Sequence, residues 1–457
     1  MRTRHLILAA AAAVALVSAE RPLLAADSAE AASSNTVTLK AHAFPGGKKP
    51  DSMWSGVYTA RSGKIYVGLC THGDAANFYE FDPATQTMDH IADLSVFKGE
   101  RGEGIRTSGK IHTSFVEDLE GNIYFGDFCE DSGPECIDPS SYRGAHWFKY
   151  DPVAKRLTNL GLISRHAGLL GIEIDRERRR LYGLAEDGHL FMFDLDRGVT
   201  IDKGRVDDWD ICRTIASDDR GNIYGSFPVD RVWKYSPEKD RVIDLQNVRV
   251  PNDPRVNPRT MSNPKIDRKT LWRILEWRPE ERVFYGVTNS DCRLFRFDPE
   301  AGDDGEIEPL ALLCADRYLD GDPKKIPIAT LAFTLAPNGM IYYAPVTSVS
   351  FDYSAESWDV KDERKFTQKI TQRSQPPLSA LVEYDIDSGS RREVGLMRTS
   401  DGRAVFGLGG AVYSPLDEKL YFVGAIEEHN EELVAGEIEE TWTYSMALLG
   451  MPLPAAE

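Results

Sequence analysis

The segment Gly121-Asn-Ile-Tyr-Phe-Gly126 contains a short motif that recurs along the 457-residue chain. Each copy places an aliphatic or aromatic residue before a tyrosine and a small or apolar residue after it. The tyrosines of the seven copies are Tyr66, Tyr124, Tyr182, Tyr224, Tyr285, Tyr342 and Tyr421. Their unequal spacing is typical of one structural unit that is repeated with loops of different length.

A second element follows every copy of the motif except the last. It alternates aromatic side chains with other residues, as in Phe78–Asp82 and Trp147–Asp151. Alternation with a period of two, followed by a turn, predicts a β-strand. Further alternating segments come before and after, for example Ile111–Phe115 and Arg156–Leu160. The sequence therefore predicts four short antiparallel strands in each unit.

Seven units of four strands predict an all-β protein, a seven-bladed β-propeller. Strands of an α/β fold would be separated by helix-length periodic segments, and the chain has none. The last unit, which contains Tyr421, lacks an outer strand of its own. We expect Thr36–Lys40 to take that place and so close the ring, which would make residues 27–457 a single domain.

Residues 1–26 have the pattern of a secretory signal peptide. Arg2 and Arg4 precede the apolar run Leu6–Val17, and small residues come before Asp27. The run is shorter than the ~20 residues of a membrane span, although an N-terminal anchor is the alternative. We expect a secreted or periplasmic monomer without a membrane span. A formal net charge of −18 argues against nucleic acid as a partner.

The chain has six cysteines, an even number that permits disulfide bonds in an exported protein. Cys129 and Cys136 would close a short loop, and we expect them to be linked. Cys292 and Cys314 are predicted to lie on neighbouring strands of one blade. No Cys-x-x-Cys spacing favours a zinc site built from thiolates.

One end of the predicted propeller gathers side chains that suit proton transfer and the binding of anions. It receives five histidines from consecutive blades: His72, His112, His146, His166 and His189. The basic residues of the same sector are Arg101, Arg106, Lys110, Arg143, Arg165, Arg213 and Arg231. An acidic protein with histidine and arginine collected at one end favours an anionic ligand. The aromatic residues there, which suit stacking on sugar rings, are Trp54, Tyr142, Trp147, Trp209 and Trp272.

The runs Gly109–His112, Gly121–Gly126 and Gly144–Pro152 resemble secreted seven-bladed propeller lyases that depolymerise uronate polysaccharides, such as ulvan lyases. They are more distantly similar to oligogalacturonate lyases. The resemblance implies β-elimination on an anionic polysaccharide or oligosaccharide. A base would remove the proton α to the uronate carboxylate, an acid would protonate the leaving oxygen, and a cation would neutralise the carboxylate.

The resemblance also implies roles for individual residues. His112 is the expected base, Tyr142 the acid, and His146 or His166 a supporting group. Arg213, and after it Arg143, would neutralise the carboxylate. The remaining residues expected to bind substrate are Lys110, Arg231 and Trp272.

Other interpretations remain open at this stage. Each histidine can instead cap a strand or pair with an aspartate. His72, His146 and His189 are an alternative set of ligands for a divalent metal ion. A non-catalytic propeller that binds carbohydrate or protein is the main alternative function. The acidic stretches 303–306 and 427–440 are expected to be solvated loops.

Overall fold

The computed structural model describes residues 35–71, 74–103, 105–129, 141–165, 167–206, 214–227, 230–253, 255, 271–347, 378–434 and 437–454. Almost all of the regular structure in these ranges is β-strand. The helical segments include the single-turn helix α1 (Leu94–Phe97) and the 3-10 turns Asp316–Tyr318 and Pro323–Lys325. Within the same ranges, no helix is long and apolar enough to cross a membrane.

Five of the sheets formed by the described strands contain four strands each, in chain order. The first has β2 (Val57–Thr59), β3 (Ile65–Thr71), β4 (Ala75–Asp82) and β5 (Thr87–Asp93). The second has β6 (Val116–Glu117), β7 (Ile123–Gly126), β8 (Ala145–Asp151) and β9 (Arg156–Ser164). The third has β10 (Leu169–Asp175), β11 (Arg180–Ala185), β12 (His189–Asp194) and β13 (Val199–Arg205). The fourth has β14 (Ala216–Ser217), β15 (Ile223–Ser226), β16 (Arg231–Ser236) and β17 (Arg241–Arg249). The fifth has β18 (Trp272–Arg278), β19 (Val283–Thr288), β20 (Arg293–Asp298) and β21 (Glu306–Leu312).

The sixth sheet has eight strands and joins the two ends of the chain. Its C-terminal strands are β22 (Phe333–Leu335), β23 (Met340–Tyr343), β24 (Ala380–Asp385), β25 (Arg391–Thr399), β26 (Val405–Ser414), β27 (Lys419–Val434) and β28 (Glu437–Pro452). The N-terminal strand β1 (Thr36–Ala43) lies in the middle, in the order β22-β23-β24-β25-β1-β28-β27-β26.

The first strands of successive sheets lie against one another. Contacts run from β6 to β10, β14, β18, β22 and β26, and then from β26 to β2. The backbone N–H of Arg61, just after β2, donates to the Glu117 carboxylate in β6 at 2.9 Å. The sheets are therefore arranged around a common axis with their first strands innermost, which is a propeller-like, all-β architecture.

The recurrent tyrosine ties together the turn between the first two strands of a sheet. In the second sheet, Asp118 accepts hydrogen bonds from the Asn122 backbone, the Asn122 side chain and the Tyr124 hydroxyl, each at 2.8 Å. Asp218 binds Asn222 and Tyr224 in the same way in the fourth sheet. These tyrosines are buried parts of the fold.

The predicted aromatic strands are confirmed as β4, β8, β12, β16, β20 and β24. The prediction of a strand at Ile111–Phe115 is wrong, because β6 begins at Val116. Before Val116, the Thr113 hydroxyl accepts a hydrogen bond from the Gly126 N–H at 3.4 Å and donates one to the Gly126 carbonyl at 3.5 Å. These side-chain hydrogen bonds replace the backbone hydrogen bonds of a strand pair. The acidic stretch 427–440 was also expected to be a loop, but its residues 427–434 and 437–440 lie in β27 and β28, which pair with each other.

The N-terminal strand lies beside the last strand of the chain, but the residues that pair there are Lys40–Ala43 rather than the expected Thr36–Lys40. Lys40–Ala43 pair antiparallel with β28, whereas Thr36–Leu39 pair parallel with β25. Val37 and Leu39 are buried in the core of the eight-stranded sheet, and this burial holds β1 between the two halves.

The expected disulfide framework is not observed in the described part of the chain. No disulfide bond joins any two of the four cysteines described there, Cys70, Cys129, Cys292 and Cys314. Burial raises the pKa of the Cys314 thiol to about 11. Cys136 lies outside the described residues, so the link between Cys129 and Cys136 stays a prediction.

Candidate functional site

A buried lysine organises the loops of the second sheet. Lys98, which follows α1, donates from Nζ to Ser108 Oγ and Asp127 Oδ2 at 2.7 Å and to the Gly144 carbonyl at 3.1 Å. Glu100 Oε1 lies 2.8 Å from the same nitrogen. Burial alone would lower the pKa of Lys98, but Asp127 and Glu100 outweigh burial and raise it. We call Lys98, Glu100, Ser108 and Asp127 the Lys98 cluster.

Tyr142 lies beside the Lys98 cluster, and Lys98 Nζ is 6.0 Å from the centre of its ring. The Tyr142 hydroxyl is buried, and no group of the described residues lies within hydrogen-bonding distance of it. Burial raises the pKa of Tyr142 well above its usual value, and the Asp127 carboxylate raises it further. The phenol is therefore a protonated donor at neutral pH.

His146 is a neutral imidazole with one nitrogen open. Its Nδ1 lies 2.9 Å from the Gly144 carbonyl, which can only accept, so Nδ1 carries the proton. Its backbone N–H donates to Asp127 Oδ1 at 2.6 Å. Burial lowers the pKa of His146, and Lys98 lowers it further, with Asp127 acting in the opposite direction. Nε2 has no partner among the described residues and is not enclosed, so its lone pair faces solvent.

Two exposed arginines, Arg143 and Arg165, lie on chain segments close to this histidine in the fold. Arg143 precedes Gly144, whose backbone has φ of 91°. A side chain at Gly144 would collide with the Ser164 carbonyl and with Arg165 Cα, so the two chain segments pass close together. Neither Arg143 nor Arg165 forms an ion pair with a described carboxylate. Two cations without a described carboxylate partner are therefore exposed on the segments that meet at Gly144.

A second cluster lies at the innermost strands and contains Trp54, Lys110, His112, Phe128 and Arg273. Lys110 Nζ is 4.4 Å from the Trp54 ring centre and 5.4 Å from that of Phe128. Arg273, in the fifth sheet, has its guanidinium carbon 6.0 Å from the Trp54 ring centre. Trp54 thus connects the second and fifth sheets across the axis. We call these five residues the Trp54 cluster, and Asp127-Phe128 joins it to the Lys98 cluster.

His112 is fully buried in the Trp54 cluster. Its ring stacks on Trp54, with centroids 5.9 Å apart and planes at 10°, and contacts Phe128 at 5.4 Å. Nδ1 lies 3.1 Å from the Leu170 carbonyl and so carries the proton. The structure therefore places His112 beneath Trp54 instead of at the rim where the sequence suggested it.

The other residues expected at the site are dispersed. Trp272 is fully buried and its indole N–H donates to the Thr214 carbonyl at 2.8 Å, so no ring face is left for a sugar. Arg231 is exposed and paired with Asp244. His189 Nδ1 is bound to Asp202 at 2.9 Å in the third sheet. His72, His166 and Arg213 lie outside the described residues.

The sequence analysis did not identify Lys98, Glu100, Asp127 or Glu186. Glu186 accepts the Gly168 N–H at 3.0 Å, and burial raises its pKa against the opposing effects of that N–H and of Arg106. These residues come from segments far apart in the sequence and carry no local pattern. The one available signal was the run Lys98-Gly99-Glu100, which directly follows α1.

The alternative of a metal ion has no support in the described residues. Within that part of the chain, no three His, Cys, Asp or Glu side chains converge as metal ligands. His146 and His189, the two described members of the proposed set, bind a carbonyl and a carboxylate through Nδ1.

No protein-family model matches the chain, and no curated protein matches it. Among solved structures, the chain is similar to one chain in a crystal structure of the mitotic checkpoint complex. The match covers 85% of this chain and 92% of the other, with 10% sequence identity and a TM-score of 0.49. A likeness this weak carries no information on function.

Proposed function

We propose that the protein is a secreted lyase that cleaves uronate-containing anionic polysaccharides or oligosaccharides by β-elimination. The observation that supports this most is the pair of exposed arginines, Arg143 and Arg165, on two chain segments that meet at Gly144, two residues before His146. Two arginines without a described counter-ion suit a sugar carboxylate. A neutral imidazole beside them suits removal of the proton on the adjacent carbon.

In the proposed reaction, the arginines bind the uronate carboxylate and stabilise the charge that develops on it. His146 Nε2 accepts the proton α to that carboxylate, and the electron pair forms a carbon–carbon double bond. The bond to the glycosidic oxygen breaks on the neighbouring carbon. Tyr142 donates its proton to the departing oxygen, a role that requires its hydroxyl, which is buried in this structure, to be uncovered when the substrate binds. The products are a new chain end and an unsaturated uronate, and no water is consumed.

The proposal assigns the base to His146 rather than to His112, the first choice from the sequence. The imidazole of His112 is fully buried beneath Trp54, whereas Nε2 of His146 faces solvent. Both rings have the same tautomer. Exposure to solvent, and so to substrate, therefore favours His146 over His112 as the base. We assign His112 a packing role beside Lys110.

The test is incubation of purified protein with a panel of uronate polysaccharides while absorbance of unsaturated uronate is followed. We expect a rise with at least one member of the panel. Arg143→Met and Arg165→Met should each raise KM about tenfold or more. Arg156→Met is the matched control, because Arg156 is exposed at the opposite end of the strand that precedes Arg165. No rise with any uronate polymer, together with saturable binding, would favour a non-catalytic carbohydrate-binding propeller.

We also infer that the propeller has seven blades. The eight-stranded sheet divides into β22–β25 and a second group of β26, β27, β28 and β1, and the parallel pairing of β1 with β25 joins the two groups into one sheet. Counting each group as a blade adds two to the five four-stranded sheets. The contacts of the first strands, which include both β22–β26 and β26–β2, are consistent with this count.

Export is the remaining part of the proposal and rests on residues 1–26. Expression of the full chain in a Gram-negative host should give a mature protein that begins near Asp27 in the periplasm or medium. N-terminal sequencing of the exported protein measures this. A protein retained in the membrane with its leader attached would favour the N-terminal anchor instead.

A further inference from the structure

A polar cavity of about 390 Å³ lies between the third and fourth sheets. It is lined by the turns that join first to second strands and third to fourth strands, including Arg178, Asn222, Lys234 and Lys239. The Lys98 cluster is built instead from the connection between the fourth strand of the first sheet and the first strand of the second, and from the loop that joins the second and third strands of the second sheet. In sheets of sequential antiparallel strands these are opposite ends, so the cavity is separate from the proposed active site.

Most charges around the cavity are already neutralised. Arg178 binds Asp175 at 2.8 Å, Arg220 pairs with Glu300, and Asp219 pairs with Arg282. The carboxylates of Glu177 and Glu238 are exposed at the rim, as is Lys239. This leaves Lys234 as the cation of the cavity floor that has no carboxylate partner among the described residues.

The fold holds the Lys234 amine in this position. Lys234 pairs with Tyr224 on one neighbouring strand and with Ile243 on the other. Its Nζ lies 5.5 Å from the centre of the buried Tyr224 ring. A ring face stabilises the cation without neutralising it. Burial lowers the pKa of Lys234, with Asp218 opposing this and Arg220 and Lys239 adding to it, so a bound anion would be favourable for the charged amine.

We propose that this cavity binds a small oxyanion through the Lys234 ammonium group, with Arg178, Lys239 and the polar floor residues around it. The ligand that this cavity suits is a compact group with two or three oxygens that share negative charge. A sulfate or carboxylate group on a sugar and free inorganic phosphate are the two sources that provide it. The cavity volume of about 390 Å³ is sufficient for such a group together with one sugar ring.

The experiment is a calorimetric titration of the full chain with sodium sulfate, inorganic phosphate and glucuronate, each against sodium chloride at equal ionic strength. We expect saturable binding at one site and at least a tenfold loss of affinity in Lys234→Met. Lys149→Met is the matched control, because Lys149 has the same position opposite the motif tyrosine in the second sheet. Stronger binding of phosphate than of glucuronate would identify free phosphate as the source, and the reverse would identify a sugar acid.

Two results would overturn the proposal: no saturable binding of any of the three anions, or equal affinities in the wild type and Lys234→Met. Lys234→Arg, which keeps the charge, should retain binding and distinguishes loss of the cation from loss of folding. Lyase activity is measured in parallel on all variants. It should be unaffected by Lys234→Met, so failure of either proposal is visible independently of the other.

Discussion

Two histidines with the same tautomer show how residue-level geometry separates roles that the sequence left together. His112 and His146 both direct Nδ1 at a backbone carbonyl, and both were expected at one end of the propeller. Composition and position in the repeat were sufficient to place them there. They could not show that Trp54 covers one ring and leaves the other open, because that depends on contacts between distant segments.

Replacing His146 by Gln should abolish elimination with little cost to folding. A general base contributes roughly 10²- to 10⁴-fold to the rate, so kcat should fall by that factor. The ring is partly exposed, and the free energy of unfolding should change by less than about 1 kcal/mol. Initial rates and urea denaturation measure the two effects. Full activity in this variant would remove His146 as the base.

His112→Ala, unlike His146→Gln, should mainly lower the stability of the fold. Removing a fully buried ring leaves a cavity against Trp54 and Phe128, and we expect a loss of about 2–4 kcal/mol in the free energy of unfolding. His112→Asn can keep a donor for the Leu170 carbonyl and should recover part of that loss. If His112→Asn folds like the wild type yet has no activity, the base is His112 and the assignment above is wrong.

Tyr142→Phe removes one buried hydroxyl that has no described partner. A buried unsatisfied hydroxyl destabilises a fold, so the variant should be as stable as the wild type or more stable by about 1 kcal/mol. The same change should lower kcat strongly on polymeric substrates, whose leaving oxygen needs a proton. Thermal unfolding and turnover are measured together. A drop in stability with unchanged turnover would show that the hydroxyl is structural.

At the scale of strands, two buried carboxyl groups join neighbouring innermost strands. Glu173 accepts a hydrogen bond from Ser217 Oγ at 2.8 Å, and Glu276 accepts one from the Leu335 N–H at 3.2 Å. Both stand opposite a motif tyrosine, in β10 and β18. Burial raises the pKa of Glu173 to about 7 and that of Glu276 to about 8, despite these hydrogen bonds.

These two groups predict a stability that falls as pH rises. Between the ordinary carboxyl pKa of 4.5 and about 8, the folded state holds a proton on Glu276 that the unfolded state releases. Stability is therefore highest below this window and is lost as pH rises through it. Glu276→Gln should raise the free energy of unfolding at pH ~9 by about 1–3 kcal/mol and leave it nearly unchanged at pH ~5. Denaturation at both pH values measures this, and an equal effect at both would contradict the shifted pKa.

At the scale of the molecule, the N-terminal strand should determine the stability of the whole ring. Leu39 is fully buried in β1, whereas Thr38 beside it is exposed. Leu39→Asp should cost about 3–5 kcal/mol, and Thr38→Asp less than about 0.5 kcal/mol. A single cooperative transition at lower temperature is expected for Leu39→Asp. Equal melting temperatures for the two variants would show that β1 is not needed for closure.

The sequence predicted the repeating strands more accurately than the contacts between segments that are far apart in the chain. The tyrosine motif and the aromatic strands depend on local turns and on alternation, which a single chain reveals directly. The parallel pairing of β1 with β25 leaves no such local pattern, because it brings together segments from opposite ends of the chain. The Lys98 cluster has the same limitation, since the hydrogen bond from Lys98 to Gly144 joins residues that are 46 positions apart in the sequence.

The most direct test of the proposed lyase is digestion of a uronate polysaccharide in water enriched in heavy oxygen. Elimination breaks the carbon–oxygen bond without water, so the released oligosaccharides should contain an unsaturated end and no heavy oxygen from cleavage. Mass spectrometry of the products from wild type and His146→Gln measures this. Products with a saturated end and one heavy oxygen at each cleavage point would show hydrolysis and contradict β-elimination.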